Sequence, residues 1–267
     1  MRRIGLIAGN RRFPLCFAQA ARKNGCSVVA AAIKGEASPQ LRRYVDKIYW
    51  LGLNEFQRLL EIFKKEGINE VVMAGQISPR RLFSKEVTGS KELAALLSGI
   101  KDKKADTIFG AIAQSLSDSG LKLLSSTIFM EDFLPKKATL TKREPDLSTW
   151  EDIYFGLELA KAIALLDIGQ SVAVKHKAIV AVEALEGTDN LIRRAGKISG
   201  GDFSLIKVSK PKQDARFDIP VVGLGTIKIL ARSGAKCLAF EAGKALFLDR
   251  EQAVALADKK GLAVVAL

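Results

Sequence analysis

Arg3-Ile4-Gly5-Leu6-Ile7-Ala8-Gly9-Asn10-Arg11-Arg12-Phe13-Pro14 is the stretch on which the fold class turns. Arg3–Ala8 is an apolar run of strand length stopped by a glycine, and Phe13–Asn24 then has helical spacing up to the stop at Gly25. The same alternation continues. Cys26–Ile33 and Lys47–Leu51 read as strands, Glu55–Glu66 as a helix ending at Gly67, and Asn69–Gln76 as a strand reaching a second glycine turn. Short apolar strands alternating with amphipathic helices predict an α/β fold with a Rossmann-like parallel sheet. Ligands of such sheets bind beyond the carboxyl ends of the strands, which makes Gly9, Asn10, Arg11, Gly75 and Gln76 candidate substrate contacts. Only the first glycine of a G-x-G-x-x-G fingerprint is present, so an NAD-type oxidoreductase is disfavoured. Arg11 and Arg12 either meet phosphate or are ordinary loop charge.

Downstream, Glu92–Ser98 and Ala105–Ser117 have helical spacing, and Gly120 leads into Lys122–Thr127, expected as another strand of the same sheet. The polar, proline-bounded stretch Leu134–Asp146 marks a domain boundary. The expected division is 1–134, a linker over 135–146, and a C-terminal α/β catalytic domain over 147–267. Ser148-Thr149-Trp150-Glu151 has the form of a capping box opening a helix to about Asp167. Ser171–Lys175 and Ala178–Val182 read as a hairpin with His176, the single histidine, at its surface tip. Phe203–Val208, Cys237–Glu241, Ala245–Leu248 and Leu262–Ala266 are predicted strands, and Thr226–Ser233 and Glu251–Lys260 predicted helices.

Composition narrows the function classes. The chain has 267 residues, 48% of them hydrophobic, and a mean hydropathy of +0.11, which suits a globular protein. It lacks the uninterrupted apolar run of about 18 residues that a membrane span requires. The N-terminal apolar run is too short for a signal peptide and is followed by Asn10-Arg11-Arg12. Against 29 acidic residues stand 42 Lys and Arg, a net charge of +13, which implies an acidic partner: nucleic acid, an anionic membrane surface or a phosphorylated small molecule. Aromatic content of 7% without a stacking motif argues against nucleic acid. Cys16, Cys26 and Cys237 are odd in number and lack metal-like spacing, as expected for a reducing cytoplasm.

Two clusters concentrate the candidate chemistry. The first, Val182 through Asp189 with Arg193 and Arg194, reads as a strand end, a glycine turn and a helix start capped by Thr188 or Asp189 and running to Gly196. Glu183, Glu186 and Asp189 are close enough along the chain to offer oxygen ligands to Mg²⁺, or else are solvated. The second, Lys210 through Pro220, is bracketed by Pro211 and Pro220. If extended, it puts Asp214, Arg216 and Asp218 on one face, suited either to a cation with a phosphate oxygen or to a plain charge ladder.

Taken with Ile4-Gly5-Leu6-Ile7-Ala8-Gly9, Val72-Met73-Ala74-Gly75 and Asp167-Ile168-Gly169-Gln170, these clusters resemble the UDP-2,3-diacylglucosamine pyrophosphatases of lipid A biosynthesis, the LpxI type. The Glu-Gly-Thr-Asp and Gln-Asp-x-Arg-x-Asp-x-Pro pair, about 25 residues apart, is the specific signal. The resemblance implies Mg²⁺-dependent hydrolysis (Mn²⁺ also suits) of UDP-2,3-diacylglucosamine to 2,3-diacylglucosamine 1-phosphate and UMP. It implies a Rossmann-like domain and a distinct α/β domain with the active site between them. It implies a lipid-linked UDP-sugar as partner, no nucleic acid, and peripheral attachment to the cytoplasmic face of a Gram-negative inner membrane, with a homodimer left open. The resemblance maps a residue needed for activity onto Asp214. With the chemistry of the two clusters, Asp214 and Asp218 are the candidate catalytic residues and Asp214, Glu183, Glu186 and Asp189 the candidate metal ligands, and the sequence does not divide metal binding from water activation among them. Implied substrate contacts are Gln170, Thr188, Arg193, Arg194, Lys210, Gln213, Arg216 and Thr226. The chain departs from the family pattern at Arg11, commonly glycine, and at Ala105-Asp106, often two acidic residues.

Overall fold

The computed structural model describes residues 1–78, 80–81, 84–90, 93–94, 105–211 and 213–267. The helix expected over Glu92–Ser98 lies outside them save for Leu93 and Ala94. The chain forms two compact units, Met1–Glu131 with Asp214–Asp218, and Asp132–Gln213 with Ile219–Leu267.

In the first unit, β1 (Arg3–Ala8), β2 (Ser27–Ile33), β3 (Lys47–Leu51), β4 (Glu70–Ala74) and β5 (Lys122–Leu123) build one sheet in the order β3-β2-β1-β4-β5. Every pairing is parallel. Helices α1 (Phe13–Lys23), α2 (Phe56–Lys65), the short α3 (Lys85–Thr88) and α4 (Ala105–Asp118) connect the strands. Ile4, Leu6 and Ala8, like Val28 through Ala32, are fully buried, because a parallel sheet covered on both faces reads as continuous apolar sequence. Gly5 has no room for a side chain: a Cβ there would lie 2.9 Å from Ile68 and 3.0 Å from the Phe63 ring. At the amino edge, Glu66 closes α2 against β1 and β3. Its carboxylate accepts from Tyr49 at 2.6 Å, Lys47 at 2.9 Å and Arg3 at 3.0 Å. Tyr49, Lys47 and Arg3 together bring its pKa down to about 2, against burial, which raises it.

The second unit centres on a six-stranded mixed sheet in the order β6-β13-β11-β9-β7-β8, formed by β6 (Ala138–Thr139), β7 (Ser171–Lys175), β8 (Ala178–Val182), β9 (Ser204–Lys207), β11 (Cys237–Phe240) and β13 (Ala263–Ala266). β10 (Val221–Gly223) and β12 (Leu246–Leu248) pair in parallel beside it. Helix α5 (Leu147–Leu165) covers one face, with Val172, Val174, Ile206, Ala239 and Val265 beneath it. Gly156 lets it approach, since a Cβ there would come within 2.8 Å of Ile206 and Val174. Helices α6 (Thr188–Ser199), α7 (Leu224–Arg232) and α8 (Arg250–Lys259) cover the other face over Ala173, Leu205, Leu238 and Val264. Strand residues alternate between the two cores, as the pleat requires.

Several local expectations are corrected. The cap of α5 is Asp146, not the Ser148 box: Asp146 Oδ1 accepts from the Thr149 N–H at 2.7 Å and from both nearby hydroxyls. An extended acidic residue after Pro145 holds the helix start with a full charge, which a serine lacks. Thr188 and Asp189 do not cap α6; the N-cap is Gly187, and the helix continues beyond Gly196 to Ser199. β5 stops at Leu123 because the following backbone turns to receive a segment from the distant Lys210–Pro220 cluster. α7 begins at Leu224 rather than Thr226, after the unanticipated strand β10. The stretch 135–146 contributes β6, antiparallel to β13.

At the amino edge of this sheet, Lys236 pairs with Asp152 at 3.3 Å, the two side chains 7% and 1% exposed. Asp152 Oδ1 also accepts from the Lys177 N–H at 2.7 Å, tying the hairpin tip to α5. Asp152→Ala would strand a buried ammonium, so we expect a loss of about 3–5 kcal/mol in denaturant unfolding. A loss under about 1 kcal/mol, within surface-pair range, would contradict this account.

Candidate active-site residues

In the first unit the strand order reverses between β1 and β4, and loops from both strands meet there. Gly9 N donates to Ala74 O at 2.9 Å, and Asn10 N to Gln76 O at 2.7 Å. A Cβ on Gly9 would stand 2.4 Å from Gln76 O, and one on Gly75 (φ +88) 2.6 Å from Asn10 O. These glycines therefore serve the crossing of two backbones. Asn10 Nδ2 donates to Glu36 Oε2 at 2.6 Å, and Glu36 Oε1 accepts from Ser78 N at 3.1 Å. Asn10 Oδ1 is buried with no partner among the described residues. Glu36 was not anticipated, although a carboxylate just beyond the second strand is a readable signal. Arg11, at φ +68, is exposed.

The Gln-Asp-x-Arg-x-Asp segment is a turn, which corrects the extended reading. Phe217 N and Asp218 N both donate to Asp214 O, at 3.2 and 3.0 Å. Asp214 Oδ1 accepts the Arg216 N–H at 3.0 Å, and its carboxylate is gripped by Arg216 Nε at 3.0 and 3.1 Å and Nη2 at 2.7 Å. An Asp side chain that bonds the backbone two residues on offers the chain an alternative to a strand. The turn is seated in the first unit. Ser126 N donates to Ala215 O at 2.8 Å, Ser126 Oγ lies 2.7 Å from Arg216 O, and Phe217 stacks on Phe109 at 5.6 Å. Chiefly through Arg216, the Asp214 carboxyl is held below the usual aspartate range, so it is ionised at neutral pH.

In the second unit, β8, β9, β11 and β13 all point their carboxyl ends to one edge. Glu183, Thr188, Gln170, Lys207 and Lys210 follow or precede strands there. Lys210 pairs with Asp167 at 2.6 Å, and its N–H donates to Gln213 Oε1 at 2.7 Å. Arg194 bonds Val182 O at 2.8 Å and pairs with Glu186, while Arg193 donates to Asn190 at 3.0 Å. Thr226 is half-buried in the first turn of α7. Glu183 is buried, and its Oε1 accepts from Thr188 at 2.7 Å. Lys207 donates to that same hydroxyl at 2.8 Å and was missed, because a lysine ending a strand reads as surface.

No three His, Cys, Asp or Glu side chains converge on a cation site among the described residues. The expected Glu183–Glu186–Asp189 ligand set is therefore not assembled. The donors on hand fit the mode in which one or two carboxylates hold Mg²⁺ together with substrate phosphates and waters. Covalent catalysis finds little support: Cys237 is buried, its thiol pushed up to about 12 by burial, and His176 is exposed on the hairpin tip.

The family model described as the LpxI N-terminal domain matches residues 3–133, and that of the LpxI C-terminal domain residues 136–265. The UDP-2,3-diacylglucosamine pyrophosphatase LpxI of Caulobacter vibrioides is 32% identical over 276 residues, covering 99% of this chain and 97% of that protein. Among solved structures, the biotin carboxylase subunit of pyruvate carboxylase has a TM-score of 0.31 at 13% identity, over 68% of this chain and 36% of that one. Phosphoribosylglycinamide synthetase from Anaerococcus prevotii has a TM-score of 0.26 at 10% identity, over 67% and 38%. Likenesses that distant carry no argument. With both domain matches and a full-length relative, this chain belongs to the LpxI family.

Proposed function

We propose that the protein hydrolyses the pyrophosphate bond of UDP-2,3-diacylglucosamine, a step of lipid A biosynthesis. The observation that carries this reading is the end-to-end similarity to a relative named for that activity. Water adds to one phosphorus, the bridging P–O bond breaks, and the products are UMP and 2,3-diacylglucosamine 1-phosphate. Phosphoryl transfer rests mostly on positioning and charge stabilisation. Arg193 and Arg194 supply exposed cations for phosphate, and Asp214, with Asp218 in the same turn, supplies carboxylates to orient water. Mg²⁺ or Mn²⁺ is the proposed cofactor, which one or two carboxylates, Asp214 and Asp218, would hold together with substrate phosphates and waters. When bound it would neutralise charge on the pyrophosphate.

The purified protein should release UMP from UDP-2,3-diacylglucosamine, and exhaustive chelation should abolish the release. Activity that survives chelation would remove the metal from the proposal; no UMP from the intact protein with Mg²⁺ would leave a binder of anionic ligands. Asp214→Ala should lower kcat by about three orders of magnitude, the scale of a lost electrostatic catalytic group, with folding retained. A folded variant with more than about a tenth of wild-type turnover would exclude Asp214, since that is only about 1.4 kcal/mol of barrier.

The same reading includes cytoplasmic placement with peripheral attachment to an anionic bilayer. Among the described residues no helix is long and apolar enough to cross a membrane. In the second unit Leu165, Leu166, Ile168 and Leu185 are 48–67% exposed. They flank one backbone contact, where the Cβ position on Gly169 lies 2.1 Å from Glu183 O. Apolar side chains there, on a chain of net charge +13, suit weak contact with anionic lipid. Cosedimentation with anionic vesicles should fall as salt rises, because screening shortens the reach of exposed charge. Binding that ignores salt would argue against an electrostatic attachment.

A further inference from the structure

The two buried lysines among the described residues of the second unit stand in opposite circumstances. Lys236, ahead of β11, faces the Asp152 carboxylate at 3.3 Å. Lys207, the last residue of β9, is just as buried at 7% exposure, yet among the described residues no carboxylate pairs with it. Its partners are hydroxyls: Thr188 Oγ1 at 2.8 Å, and Ser171 Oγ at 3.5 Å, a long contact. An ammonium has three donors and almost never stays buried without an anion. Here two of the three donors are engaged, one of them weakly, and the group can take a further acceptor.

Thr188 explains why Lys207 is held there. Its single hydroxyl proton goes to Glu183 Oε1 at 2.7 Å, so the lone pairs of that oxygen are left to accept from Lys207. Glu183, 8% exposed, thus fixes the ammonium through one intervening hydroxyl. Its other oxygen, Oε2, is buried and has no partner among the described residues. The twelve-residue helix α6 starts at Thr188 behind Gly187 without a side-chain cap. The positive end of a helix dipole suits an oxyanion. Two open valences, a cationic donor and a carboxylate oxygen, therefore sit at the strand ends beside this helix start.

We propose that Lys207 binds a phosphoryl oxygen of the pyrophosphate substrate directly, with Thr188 and Glu183 as positioning residues. The assignment rests on the hydrolase reading above and adds a substrate contact to it. A phosphoryl oxygen supplies a direct anionic acceptor for the open donor, and lysine meets phosphate as a point charge with rotatable donors. Glu183 Oε2 is completed by a hydroxyl or cation that arrives with the ligand.

The test compares wild type, Lys207→Met and Lys207→Arg by thermal unfolding, by calorimetric titration with inorganic pyrophosphate at fixed ionic strength, and by UMP release. Lys207→Met should remain folded with at most a modest fall in melting temperature, since the ammonium has no direct ion pair to lose but leaves the buried Glu183 carboxylate, one hydroxyl away, without its cation. Its pyrophosphate affinity should fall at least about tenfold, the scale of one charge-assisted hydrogen bond. Its kcat should fall about a hundredfold or more, as for one lost donor to a reacting oxyanion. Lys207→Arg should restore part of the pyrophosphate affinity. A Lys207→Met protein that unfolds or is markedly destabilised would make Lys207 structural and overturn the proposal, as would wild-type pyrophosphate affinity in that variant. If wild type releases no UMP but Lys207→Met still loses pyrophosphate, the hydrolase reading fails and the oxyanion contact stands. If wild type and Lys207→Met release UMP equally, the Lys207 assignment alone falls.

Discussion

Strand direction is the constraint on which the rest depends. Parallel pairing sends every strand of the first sheet out at one edge and does the same for β9, β11 and β13 of the second, where two antiparallel pairings through β7 bring β8 into the same direction. Each unit treats its two edges differently. At the amino edges buried carboxylates are met by cations, Glu66 by the exposed Arg3 and Lys47 together with Tyr49 in one and Asp152 by the buried Lys236 in the other. Buried charges are tolerated only when paired, and these are. At the carboxyl edges the polar groups are left incomplete: Asn10 Oδ1 in the first unit, Glu183 Oε2 and Lys207 in the second. Among the described residues two of the four buried side-chain atoms without a hydrogen bond, Asn10 Oδ1 and Glu183 Oε2, thus lie where α/β sheets take their ligands, while Ser204 Oγ and Asp152 Oδ2 lie at the amino edge.

The glycines of the recognisable motifs serve architecture more than chemistry. Gly9 and Gly75 let two loops cross backbone to backbone, and Gly169 does the same against Glu183, where any Cβ would collide with the carbonyl. Fixing Gly169 against Glu183 also fixes Ser171, whose carbonyl accepts from Glu183 N at 2.9 Å. The polar side chains borne by these loops are thereby placed by backbone geometry. Side chains placed that way lose little entropy when a ligand arrives.

Legibility followed the range of the forces involved. The alternation of strands and helices was readable because sheets buried on both faces demand unbroken apolar runs, as in Val28 through Ala32. The hairpin with His176 at its tip was readable from its length and turn. The Asp214–Asp218 turn was not, because its shape comes from Asp214 competing with its own backbone and from seating on Ser126, about ninety residues away. β10 was lost for a similar reason: three residues become a strand only by meeting β12. Lys207 was the most misleading, since a charged residue at a strand end reads as solvated until the Thr188 hydroxyl is seen beside it.

The state of Asp214 bears on what it can do under the proposed hydrolysis. The Arg216 fork lowers its pKa and keeps it ionised, which makes it a weak acceptor for a proton at neutral pH. A general base works best with a pKa near the working pH, so proton abstraction is the role to which this carboxylate is least suited. Pyrophosphate cleavage asks little of a base: charge flows onto the leaving phosphate, and the attacking water needs chiefly to be aimed. An ionised carboxylate fixed by a planar guanidinium is well matched to that, and equally to holding a hard cation. Under the proposed hydrolysis the Arg216 grip would serve that role by trading basicity for a fixed negative charge in a fixed place.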